Sequence, residues 1–190
     1  MALRDAVMAA LLEGEASGYD LAKAFEASVA NFWMATPQQI YRELERMEAE
    51  GLVAARLVEQ ERRPNKRLFS LTPAGLAAVR AHLTGRPSKP LALRDELLVK
   101  VQCLDVGDFD ALDAIRDEIK DRLERSVAKL ARYERLRERL LDGRSEDEFF
   151  ASAERVGPYL TLQAGLALER ANVHWAETAL ARLERRAGRR

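Results

Sequence analysis

Apolar residues at Leu3, Val7, Ala10 and Leu11 recur at the three-and-four spacing of one helix face, and Glu13-Gly14-Glu15 ends that helix. Ser17-Gly18-Tyr19-Asp20 is a helix-start signal, after which Leu21, Ala24, Phe25 and Val29 mark the apolar face of a second helix. A third helix is announced more sharply. Thr36 can cap it, Pro37 takes the first helical position, where its missing N–H costs nothing, and Gln39 follows at capping-box spacing; Gly51 ends it. Ile40, Leu44 and Met47 share its inward face, and Gln38, Gln39, Arg42, Glu45 and Arg46 lie opposite, with Tyr41 at the flank.

Past Gly51 the period changes. Leu52 to Val58 is short and rich in Val and Leu, Glu59 to Lys66 is charged and contains Pro64-Asn65, and Arg67-Leu68-Phe69-Ser70-Leu71 alternates polar with apolar. This predicts two strands joined as a β-hairpin with a polar, basic tip. Thr72-Pro73-Ala74-Gly75 opens a fourth helix, which Ala77, Ala78 and Leu83 carry to Gly85. Arg86-Pro87-Ser88-Lys89-Pro90 is a Pro-rich polar stretch, so a linker over 86–90 separates a domain of residues 1–85 from one of residues 91–190.

In the second domain the pattern predicts helix from Leu91 to Leu104, then a long helix from Asp108 to Leu141. Phe109, Leu112, Ile115, Ile119, Leu123, Val127, Leu130, Tyr133, Leu136 and Leu140 form its coiled-coil-like stripe. Asp142-Gly143-Arg144-Ser145 is a turn, and Glu146 to about Arg185 returns as helix, with a kink or break at Gly157-Pro158. So little else covers these stripes that a second copy of the chain is the expected partner. The fold class is mainly α: an N-terminal winged helix-turn-helix with a two-stranded wing, and a C-terminal α-helical dimerisation domain.

Composition adds one constraint. With 47% hydrophobic and 33% charged residues the chain is globular rather than disordered, but its formal net charge is zero, and residues 1–85 hold 10 basic against 11 acidic residues. No global basic field exists, so any contact with nucleic acid depends on local charge. Arg62, Arg63, Lys66 and Arg67 supply it on the hairpin, against Glu59 and Glu61 at its root. The single cysteine, Cys103, excludes an intramolecular disulfide, and its apolar surroundings predict a small core residue. No apolar run approaches the ~20 residues that cross a bilayer, and the first residues lack a leader pattern; a cytoplasmic location without a membrane partner is expected.

Three motifs carry a family resemblance: Ser17-Gly18-Tyr19-Asp20-Leu21, then Thr36-Pro37-Gln38-Gln39-Ile40-Tyr41-Arg42-Glu43-Leu44 through Glu48 to Gly51-Leu52-Val53, then Lys66-Arg67-Leu68-Phe69-Ser70-Leu71-Thr72-Pro73-Ala74-Gly75. In this order and spacing they resemble the PadR family of transcriptional regulators over residues 1–85; one departure is Phe69, where the family commonly has a tyrosine. The resemblance implies a homodimeric repressor that binds imperfect palindromes in double-stranded DNA. Its third helix would lie in the major groove and its hairpin along the backbone, and some members release DNA on binding a small aromatic or cationic effector.

Chemically, Gln38 and Gln39 match adenine's major-groove edge, and the forks of Arg42 and Arg46 match guanine or a phosphate. Two alternatives stand: Gln39 is occupied as a capping residue, or Arg42 pairs with Glu45 on the same face. Thr36 and Tyr41, near the helix start, suit phosphate, as do Arg62, Arg63, Lys66 and Arg67. Phe32 and Trp33, with Trp175 near the other end, are candidates for an effector pocket; packing between domains, or within a dimer core, is the competing explanation. His82 and His174 are far apart, and Glu177, one turn after His174, lacks a third ligand beside it. No Gly-rich loop, nucleophile elbow or acid pair occurs, so no catalytic residue, metal, cofactor or enzymatic activity is expected. A protein–protein adaptor built on the same winged fold is the alternative function. Neutral net charge favours it, and four cations on one hairpin speak against it.

Overall fold

A computed structural model describes residues 3–27, 33, 35–59, 65–85, 94–106 and 109–187. The chain divides into two compact units, Met1–Pro90 and Leu91–Arg190. In the first, the predicted apolar faces converge. Helix α1 (Leu3–Leu11) buries Val7, Met8 and Leu11, α2 (Gly18–Ala27) buries Leu21 and Phe25, and α3 (Pro37–Ala49) buries Ile40, Leu44 and Met47. Together with Val53 and Phe69 these side chains form one core. Val29, Phe32, Arg62, Arg63 and the linker 86–90 lie outside the described residues.

Strands β2 (Val53–Val58) and β3 (Lys66–Leu71) pair antiparallel, from Val53 opposite Leu71 to Val58 opposite Lys66. The sheet has three strands where the alternation predicted two, because β1 (Ala16–Ser17) joins the other edge of β3, with Ala16 opposite Phe69. Two residues are too few for a period of two to show. Helix α4 (Pro73–Leu83) starts under a tight cap. The Thr72 hydroxyl oxygen accepts from the Gly75 N–H at 3.1 Å, and the same hydroxyl donates to the carbonyls of Gly51 (2.7 Å) and Leu52 (3.1 Å).

The second unit contains α5 (Glu96–Gln102), a 3-10 turn (Leu104–Val106), α6 (Phe109–Leu141), α7 (Glu146–Ser152) and α8 (Gly157–Ala187). Helix α5 begins later than the periodicity suggests, because Asp95 caps it by accepting from the Leu98 N–H. The return segment is broken: α7 has its own capping box, Ser145 with Glu148, and α8 starts anew at Gly157. Along the α6–α8 pair the packing falls into two apolar clusters. One contains Leu97, Ile115, Ile119 and Ala176; the other contains Tyr133, Leu162 and Leu166. Between them Ser126 and Glu169 are buried, while Val127, expected on the stripe, is 48% exposed. Ile119, Ser126 and Tyr133 keep a seven-residue spacing on the packed side, whereas each step of four from Ile115 to Val127 carries the side chain about 40° further round the helix. Cys103 is exposed rather than buried. Leu97, Val101 and Leu104 take the packed side of this segment, which turns Cys103 away from it.

Asp95 also makes a two-pronged ion pair with Arg122 of α6, both bonds 2.7 Å long. The Arg122 guanidinium holds the Asp95 carboxyl below its usual range, against a smaller opposing effect of burial. A depressed carboxylate stabilises the fold above its unfolded pKa, ~3.9, and loses that contribution as pH falls through the folded value. We therefore expect the difference in Tm between the wild type and Asp95→Asn, which can still cap α5, to shrink as pH drops below about 4. A difference that does not change with pH would remove the ion pair from the account.

Candidate nucleic-acid interface

Helix α3 is set at both ends. The Thr36 hydroxyl accepts from the Gln39 N–H at 3.3 Å, and the Gln39 side-chain oxygen accepts from the Thr36 N–H at 2.8 Å. At the other end Leu52 N–H donates to the Met47 carbonyl and Gly51 N–H to that of Glu48. With Ile40, Leu44 and Met47 each fully buried, the helix cannot rotate without losing its core contacts. Its outer face therefore stands in one orientation, with Gln38, Gln39, Arg42, Glu45 and Arg46 exposed.

This geometry separates residues that the sequence left equivalent. Gln39 spends its side-chain oxygen on the cap, so it could form the two-bond adenine pattern only by releasing Thr36. The Gln38 side chain makes no hydrogen bond among the described residues. Arg42 forms no ion pair with Glu45 or any other described carboxylate, whereas Arg46 lies 3.5 Å from Glu43. The helix start offers little to an anion. Pro37 has no N–H, those of Gln39 and Ile40 are taken by Thr36, and only that of Gln38 is left in this turn.

Tyr41 is 44% exposed. Its ring lies over Gly18 at the start of α2, so closely that a Cβ there would sit 2.2 Å from a ring carbon. Beside it the start of α2, α3 and the root of the wing surround an open cleft of about 730 Å3, lined by Tyr19, Asp20, Tyr41, Glu45, Lys66 and Arg67 among others. The wing cations here are not free. Lys66 Nζ is 3.1 Å from Asp20 Oδ2, and Arg67 reaches Glu48 at 2.6 Å while lying 5.2 Å from the centre of the Phe69 ring. Asp20 and Glu48 were not among the sequence candidates. Asp20 read as part of a helix start, and nothing local joins it to a lysine 46 positions away.

The aromatic candidates fall into separate cores. Trp33 is half-buried against the core of the first unit. Trp175 packs on the cluster around Ile115 and Ile119, with the Arg122 guanidinium 5.5 Å from its ring centre. His174 and Glu177 are both exposed, His82 stands 3.7 Å from Asp5, and no group of three or more metal-ligating side chains comes together among the described residues. Nor is any helix among them long and apolar enough to cross a membrane.

A rigidly mounted helix with an outward polar face, flanked by a β-hairpin carrying basic residues, defines a winged-helix DNA-binding transcriptional regulator. Residues 7–81 match the model of the transcriptional regulator PadR-like family, and residues 93–184 match that of the virulence activator alpha C-terminal region. The negative transcriptional regulator PadR of Bacillus subtilis is 30% identical over 186 residues, covering 96% of this chain and 98% of the relative. The chain belongs to the PadR-like family of transcriptional regulators. Its structure is similar to that of B. subtilis PadR in complex with operator DNA, with a TM-score of 0.72 and 29% identity over 95% of this chain and 98% of the other. It is also similar to that of PadR in complex with p-coumaric acid, with a TM-score of 0.66 and 28% identity over 96% and 98%.

Proposed function

We propose that the protein is a homodimeric repressor that binds an operator of two inverted half-sites through α3, and is released from it by a small effector. The observation that carries this reading is the fixed polar face of α3, on which the side chains of Gln38 and Arg42 stand free opposite three fully buried side chains. Arg42 is the guanine or phosphate contact, Gln38 the adenine contact, and Arg46 and Gln39 contribute once Glu43 and the cap release them. Thr36, Tyr41, Arg62 and Arg63 take phosphates, while Lys66 and Arg67 lie alongside the backbone with their charges already met by Asp20 and Glu48. The operator complex of B. subtilis PadR supports the DNA partner, and its p-coumaric acid complex supports a small aromatic compound as effector. Trp33 in the first unit and Trp175 in the second are each a candidate ring contact for such a compound. Pairing through the second unit would set the half-site spacing, and an effector acts by favouring one arrangement of the dimer over another. Binding rather than catalysis is the activity, and the cytoplasm is where it takes place.

Selection from a pool of random duplexes tests this. We expect an inverted repeat with half-site centres about 10 base pairs apart, or a multiple of that. Arg42→Ala should weaken binding to the recovered duplex about tenfold, as the loss of one two-bond base contact requires, while leaving affinity for random duplex nearly unchanged. A pool with no enriched sequence would overturn the repressor in favour of the adaptor. An equal loss on both duplexes would move Arg42 from base to phosphate.

A further inference from the structure

Lys66 and Arg67 begin β3, and consecutive strand residues point to opposite faces. Each finds a carboxylate on a different helix of the helix-turn-helix: Lys66 meets Asp20 on α2, and Arg67 meets Glu48 on α3. The root of the wing is thus tied on both sides. Neither contact is casual. The Ser17 hydroxyl donates to the same Asp20 oxygen at 2.7 Å and accepts from the Asp20 N–H at 3.1 Å, and Ser17 is itself fixed in β1 opposite Leu68. Arg67 offers two bonds to Glu48 from one terminal nitrogen, with the Phe69 ring beneath it.

These pairs are not needed to hold the wing in place. Phe69 is buried in the core and β3 is bonded to strands on both edges, whereas ion pairs as exposed as these add little to stability. Their main consequence is for the cations. Sequence-independent DNA binding draws on whatever positive charge is available along a surface. Here two cations of the wing are already neutralised by the protein's own carboxylates, within residues 1–85, which hold 10 basic against 11 acidic residues.

We propose that Asp20 and Glu48 are specificity-determining residues, which keep Lys66 and Arg67 from sequence-independent phosphate binding and leave discrimination to the outer face of α3. The proposal rests on the DNA-binding reading above. On random duplex, where α3 finds no matching bases, the complex relies on free cations and is penalised by the two carboxylates. On the operator, base contacts seat α3, Asp20 and Glu48 stay paired, and the wing is carried in at a defined angle. Ser17 and Lys66 hold the Asp20 carboxyl below its usual range, so this arrangement persists at neutral pH.

The test compares wild type with Asp20→Asn/Glu48→Gln in the full-length chain, on random duplex and on the duplex recovered by selection, across a range of salt. The expected result is several-fold tighter binding to random duplex, with a salt slope steeper by about 0.9 for each freed cation. Affinity for the selected duplex should change less, so that the ratio between the two falls. A control variant, Glu13→Gln/Glu177→Gln, removes two exposed carboxylates that have no ion pair among the described residues and should leave the ratio unchanged. Adding Lys66→Ala and Arg67→Ala to the test variant should abolish its gain. Random-duplex affinity that stays constant or falls would overturn the proposal, as would an equal rise on both duplexes or the same effect from the control. If wild type enriches no sequence, the DNA-binding reading fails first and takes this one with it.

Discussion

Gly75→Ala should destabilise the winged unit by about 2 kcal/mol, lowering its Tm by roughly 10 °C, although alanine is the better helix former. A Cβ at Gly75 would sit 2.2 Å from the Leu52 carbonyl oxygen and 3.1 Å from Leu71 Cδ2. That oxygen cannot step aside. It accepts from both the N–H and the hydroxyl of Thr72, and Thr72 in turn caps the helix that Gly75 belongs to. Relief requires α4 to move away from the start of β2, which breaks the cap. Thermal denaturation of the full-length variant checks this; an unchanged Tm would mean that α4 does not approach Leu52 as closely as described.

The second large effect is expected in the other unit, at a charge pair inside the α6–α8 interface. Glu169 accepts a 2.7 Å bond from Lys129 and further bonds from Ser126 and Asn172. Burial pushes the Glu169 carboxyl up, but these donors outweigh it and keep it below the usual carboxylate range. Removing only the acid leaves Lys129 and Ser126 facing an apolar seam. Losing one partner of a fully buried pair costs about 3–5 kcal/mol; because Lys129 is a third exposed and can swing towards water, we expect about 2 kcal/mol for Glu169→Ala. Replacing both residues with leucine should recover most of that loss. Denaturant midpoints of the single and double variants decide the matter. A double variant as unstable as the single one would show that the pair stabilises by more than avoiding an orphaned charge.

The parts of this structure that could be read from the chain are those whose cause is local. Thr36-Pro37 with Gln39, and Thr72-Pro73, announce helix starts because a cap and its partner lie within one turn, and both caps form. Ile40, Leu44 and Met47 could be placed in the core because one period governs the whole of α3. What escaped notice depends on residues distant in sequence. Strand β1 exists only because β3 supplies an edge, and Lys66 and Arg67 find carboxylates 46 and 19 positions away. Ser126 holds the packed position beside Val127 and bonds Glu169 of α8, and being polar it left no apolar signal in the stripe of α6. The outer face of α3 was legible as a set of residues. Which of them are committed elsewhere was not, since that follows from the Gln39 cap and the Glu43–Arg46 pair.

The polar belt of buried Ser126 and Glu169 with half-buried Lys129 has a consequence for how this helical tail can change. It lies between two apolar clusters that share no side chain, one packed on α5 and the other towards the turn into α7. A substitution that reshapes one cluster need not be compensated in the other, while the belt keeps α6 and α8 in step. The tail is therefore two modules joined at a keyed seam, and lineages of this chain can remodel either end without renegotiating the whole.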